Sequence, residues 1–98
     1  MNIVAITACP TGIAYTYMAA KKLEKIAKAL GHRIKVETQG AMGIENEIEP
    51  KDVATADVVI FAADTQVEQR QRFDGKRIIE VSVQLALMDP KSIFAQAS

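Results

Sequence analysis

Apolar residues along the chain fall into two kinds of segment that alternate. Asn2 to Ala8 (NIVAITA) and Asp57 to Ala63 (DVVIFAA) are nearly continuous in Val, Ile and Ala, which suits central strands covered on both faces. Arg77 to Val81 (RIIEV) makes a third strand, and Arg33 to Thr38 (RIKVET) alternates apolar with polar residues and predicts an edge strand. An amphipathic helix precedes that edge strand. It sets Ala19, Ala20, Leu23, Ile26, Ala27 and Leu30 on one face and Lys21, Lys22, Lys25 and Lys28 on the other, with Gly31 as its C-cap. A short helix from Pro50 to Ala56 opens with proline, where a missing amide costs nothing, and a turn or helix covers Glu68 to Phe73. Beyond Ser82 the chain is again helical in pattern, broken at Asp89-Pro90, with Asp89 capping a final helix that starts at Pro90.

The order β-α-β-α-β-α-β-α predicts an α/β fold: a three-layer sandwich with a four-stranded parallel sheet, right-handed crossovers and helices on both faces. With the first strand central and the chain winding to one side and then the other, the expected strand order is 2-1-3-4. Ligands in such sheets bind at the carboxyl ends of the strands where the winding reverses. That places Cys9 to Thr16, Gln39 to Ile44 and Asp64 to Val67 on the functional edge.

Length then limits the organisation. At 98 residues the chain is read as one domain, 1–98, with no internal repeat and no low-complexity segment. A net charge of zero argues against a nucleic-acid binder, which carries a cationic excess to displace counterions. One cysteine rules out an internal disulfide framework, and with His32 as the lone histidine no four-ligand zinc site is expected. The apolar run at the N-terminus is too short to span a bilayer and lacks a signal peptide's basic leader, so a cytoplasmic location is expected. There the thiol of Cys9 stays reduced.

The segment joining the first strand to the first helix is Cys9-Pro10-Thr11-Gly12-Ile13-Ala14-Tyr15-Thr16. A thiol at a helix start sits among unpaired amides and the positive end of the helix dipole, which favour the thiolate. The same amides, in a loop tightened by Gly12, can wrap a dianionic group carried on the sulfur. Thr11 and Thr16 add hydroxyl donors. A Walker loop would need Lys-Ser/Thr after its second glycine, and none is present. A cysteine phosphatase loop places arginine six residues after its cysteine, where this chain has Tyr15. No second cysteine exists to resolve an oxidised one.

These residues resemble a known family over essentially the whole chain: the fructose-type enzyme IIB components of the bacterial phosphoenolpyruvate-dependent sugar phosphotransferase system. The resemblance is carried by Thr7-Ala8-Cys9-Pro10-Thr11-Gly12-Ile13-Ala14, Thr16-Tyr17-Met18-Ala19-Ala20, Val36-Glu37-Thr38-Gln39-Gly40, and Ala56-Asp57-Val58-Val59-Ile60 with Ala63-Asp64. It implies that Cys9 accepts a phosphoryl group from a phosphohistidine on a IIA partner and passes it to a sugar carried by a membrane-embedded IIC partner. The protein would then meet the inner face of the membrane transiently, through IIC, and need neither cofactor nor metal. Where the family generally has histidine this chain has Tyr15, which keeps a hydrogen-bonding tip but does not titrate near neutrality.

Two rival readings remain at this level: a low-molecular-weight cysteine phosphatase, weakened by Tyr15 in place of arginine, and a non-catalytic regulatory module using the same surface. Gln39 and Gly40 are expected to shape the loop beside the phosphoryl group, and Asp64 to serve the site or a turn. Charge is segregated, with six Lys/Arg and one acid over residues 21–35, and six acids and one lysine over 37–57. Such runs are either solvated faces or opposite-sign surfaces that steer IIA to one flank and IIC to the other.

Overall fold

The computed structural model describes residues 1–9, 13–40 and 43–97, with residues 13 and 14 by their backbone only. Strands β1 (Asn2–Ala8), β2 (Arg33–Gly40), β4 (Val58–Ala63) and β5 (Ile78–Val81) run parallel, and β3 (Gly43–Glu45) pairs antiparallel with β2. The sheet therefore has five strands in the order β3-β2-β1-β4-β5. The four expected strands keep their expected order, but the sheet is neither four-stranded nor wholly parallel, and β2 is not at its edge. The reason is a three-residue hairpin arm, paired Thr38 to Glu45, Gln39 to Ile44 and Gly40 to Gly43. With Ile44 its only large apolar residue, β3 carries no periodic signal; its first residue, Gly43, has φ 90°, which glycine adopts without strain.

The near-continuous apolar strands are central because both their faces are covered. Ile3 and Ala5 of β1 and Val58, Ile60 and Ala62 of β4 pack with helices α1 (Ile13–Ala29), α3 (Val83–Met88) and α4 (Pro90–Ala97). The intervening Val4, Ile6, Val59 and Phe61 pack on the opposite face with Ile48, Ala56, Val67 and Phe73. This second face is roofed by α2 (Pro50–Thr55) and by a 3-10 helix over Arg70–Phe73.

Local chemistry sets the boundaries. Helix α1 ends in a Schellman motif: Gly31, at φ 80°, donates to the Lys28 carbonyl (3.1 Å) and His32 to the Ala27 carbonyl (2.8 Å). Because the helix ends at Ala29, Leu30 leaves the apolar face on which its spacing had put it and is 49% exposed. The N-terminus of α1 also departs from expectation. It begins at Ile13, so Ile13 to Thr16 form its first turn and are not loop. Glu49 and Asp52 make a reciprocal capping box on α2, and the Ser82 hydroxyl accepts from the Leu85 amide (3.1 Å) to start α3. At the break before α4, the Asp89 carbonyl accepts from the amide and the hydroxyl of Ser92.

Candidate functional site

The carboxyl ends of β1, β2 and β4 meet at one edge of the sheet. Cys9 follows β1 directly, half-buried against the core beneath α1. Its neighbours are held in register on both sides: Ala8 lies opposite Gln39 of β2 and Ala63 of β4, and the Asp64 amide donates to the Ala8 carbonyl (2.9 Å). The buried Thr7 hydroxyl donates to the Thr16 carbonyl (3.1 Å), tying the end of β1 to the first turn of α1. Cys9 is thereby fixed between a central strand and a helix start. A cleft of about 270 Å³ opens beside it, lined by Ala8, Cys9, Gln39, Gly40, Thr65, Gln66 and Glu68.

The structure brings some of the expected residues together and shows structural contacts for others. Pro10, Thr11 and Gly12 lie outside the described residues, as do residues 41 and 42. Ile13 and Ala14 open α1; Thr16 is buried, and Tyr15 is 52% exposed on the first turn. Gln39 and Gly40 line the cleft with Cys9. Asp64 is a joint of the fold: its carboxylate accepts from the Val83 amide (3.2 Å), fastening the end of β4 to the start of α3. His32 lies away from this edge, its Nδ1 3.2 Å from the N-terminal amine and its ring beside Phe94.

A buried polar cluster stands behind the cleft, and sequence reasoning had not assigned it. Glu37 is fully buried and its carboxylate takes both guanidinium nitrogens of Arg72 (2.9 Å each), the Ile48 amide (2.8 Å) and the Gln39 side-chain amide (2.7 Å). Burial pushes the Glu37 carboxyl up, but the hydrogen bonds from Arg72, Ile48 and Gln39, with the guanidinium charge, outweigh it and hold the group below its ordinary range. The clue in the sequence was that Lys35, Glu37 and Gln39 share one face of β2, and that a fold this small covers that face. Arg72 is 35 residues from Glu37 in sequence, so the counter-ion was not local.

Of the six acids of 37–57 only Glu37 is buried, and four others pair within the chain at or near the surface. Besides Glu37, Asp52 pairs with Lys35 (3.0 Å), Glu49 with Lys51 (3.4 Å), Glu45 accepts from the Tyr17 hydroxyl, and Asp57 accepts from the Asn2 amide (2.8 Å). The hydrogen bond to Glu45 raises the Tyr17 phenol above its usual value. It also clasps the β3 arm to α1 just beyond that helix's first turn.

This arrangement has known counterparts. Residues 4–96 match the family described as the lactose/cellobiose-specific IIB subunit of the PTS system. The chain is a member of the PTS IIB family. It is 48% identical over 95 residues, 97% of its length, to the PTS system fructose-like EIIB component 2 of Escherichia coli K12, covering 90% of that protein. It is 46% identical to the PTS system fructose-specific EIIABC component of Bacillus subtilis, with 98% of this chain corresponding to 15% of that protein. A crystal structure of a domain from the fructose-specific IIABC component of Borrelia burgdorferi superposes with a TM-score of 0.92 at 46% identity, over 97% of this chain and 90% of that one. This IIB chain is a phosphotransferase subunit of the fructose-like kind, and its single cysteine agrees with a phosphocysteine site. Among the described residues, no helix is long and apolar enough to cross a membrane.

Proposed function

We propose that Cys9 is the phosphoryl carrier of this IIB subunit, with the amides of residues 11 to 16 and the hydroxyls of Thr11 and Thr16 as its anion cradle. The observation that carries the proposal is the placing of the thiol: at the carboxyl end of a central strand, where the winding reverses, in a cleft, and just before the helix start. Amides at a helix start favour both the thiolate and the dianion it would carry.

The Cys9 sulfur attacks phosphorus as the bond from phosphorus to a IIA phosphohistidine nitrogen breaks, and the thiol proton balances the charge left on the imidazole. In the second step the P–S bond breaks, a sugar hydroxyl oxygen bonds to phosphorus, and the hydroxyl's proton balances the charge of the departing Cys9 thiolate. In-line transfer of this kind needs positioning and charge stabilisation above all. The partners are a IIA donor and a membrane IIC permease, with the sugar as final acceptor and the carrier working at the cytoplasmic face. The fused EIIABC relative supports that partnership. Tyr15, exposed on the first turn, is offered to whichever partner approaches Cys9.

The test is incubation with a IIA protein charged with labelled phosphoryl. One iodine-labile phosphoryl group per chain is expected, mapped to Cys9 by peptide analysis. Label that persists in Cys9→Ser would overturn the assignment, and rapid turnover of an aryl phosphate would favour the phosphatase reading instead.

A further inference from the structure

The wall of the cleft facing Cys9 is built from a loop, residues 64–69, and its hold on the sheet runs through the Gln39 side chain. Nε2 of Gln39 donates to the Glu68 carbonyl (3.1 Å) and Oε1 accepts from the Glu68 amide (2.8 Å), so the side chain pairs with this peptide as a strand would. Nε2 also donates to Glu37 (2.7 Å). A carboxylate only accepts, so Glu37 dictates which end of the Gln39 amide is nitrogen, and thereby that the oxygen meets the Glu68 N–H. Arg72 fixes Glu37 in turn with a bidentate pair, and its Nε donates to the Gln69 carbonyl (2.9 Å). Gln69, at φ 58°, is where the loop turns into the 3-10 helix. The loop is thus clamped at Glu68 through Gln39 and at Gln69 through Arg72.

A buried ion pair is weak as a stabilising device, since well-packed apolar residues of similar volume do as well or better. What it supplies here is a single allowed geometry for residues lining the cleft. We propose that Glu37 and Arg72 are positioning residues for phosphoryl transfer, acting through the Gln39 amide to set the wall of the cleft against Cys9. The proposal rests on Cys9 being the carrier. Gln39 itself has its amide engaged on both ends and serves the wall rather than the phosphoryl group.

The test uses the full chain and a phosphorylated IIA, with initial rates measured well below each variant's melting temperature. Gln39→Met leaves the Glu37–Arg72 pair standing and removes only the link; Glu37→Gln keeps the volume and removes the orientation. Both are expected to lower kcat for Cys9 labelling at least about tenfold, with KM for IIA changed by less than about twofold, because an error of an ångström in placing reacting groups costs up to about a hundredfold. The double variant should fall no further than the worse single one. Ile93→Val, in the core beneath the other face, lowers the melting temperature without changing kcat and reports what destabilisation alone does. Wild-type kcat in Gln39→Met, or multiplicative losses in the double variant, would overturn the positioning role. Failure of the wild-type chain itself to accept label would instead overturn the carrier reading, and this proposal with it.

Discussion

Removing Arg72 should convert Glu37 from a stabilising group into a destabilising one, and the two regimes differ in the sign of their pH dependence. Glu37 is fully buried and the Arg72 side chain 17% exposed, so the pair belongs with buried ion pairs and not with surface ones, whose worth is about 0–1 kcal/mol. Breaking a buried pair costs about 3–5 kcal/mol because the surviving charge is left in a poor solvent. In Arg72→Met the carboxylate still has the Ile48 and Gln39 N–H groups, which puts the expected loss near 3 kcal/mol at pH 7. For a domain of this size that is a fall in melting temperature of about 12 °C or more. In the wild-type protein the folded carboxyl is depressed, so its contribution is present above the unfolded value of about 4.3 and is lost as pH falls below it. Without the guanidinium, burial dominates and the folded value rises above 4.3; stability is then lost as pH rises through it. Urea denaturation followed by far-UV circular dichroism at pH 5 and pH 7 reads this directly. Arg72→Met should be relatively more stable at pH 5, and Glu37→Leu combined with Arg72→Met should recover most of the loss. A deficit under about 1 kcal/mol, or one equal at both pH values, would refute the reasoning.

Two smaller predictions concern the start of α1. Thr7→Val removes the buried hydroxyl that ties β1 to α1 and should cost about 1 kcal/mol, read as a drop of about 4–8 °C in melting temperature; no change would mean that the hydrogen bond to the Thr16 carbonyl contributes nothing net. In an ultraviolet titration one tyrosine should ionise above the usual value of about 10, and Glu45→Gln should bring it down; an unchanged titration would break the assignment of the Tyr17–Glu45 clasp.

The sequence by itself determined the layered α/β plan, because each cue was local. Uninterrupted Val, Ile and Ala mark strands buried on both faces, the period of α1 marks its buried side, and Gly31, Pro50, Ser82 and Pro90 stand where helices end or begin. Strand order for the four parallel strands followed from a central first strand with the chain winding to one side and then the other, and the switch point then singled out Cys9. Tertiary structure decided what depends on distant partners. The β3 arm is a strand only because β2 offers it a ladder, and Glu37 became a buried ion because Arg72, 35 residues away, folds over the same face. That the Asp64 carboxylate joins the end of β4 to α3 was visible only once the Val83 amide lay beside it. Periodicity reports which face of an element is covered, and it says nothing about which polar groups meet there; that is fixed only when the chain closes on itself.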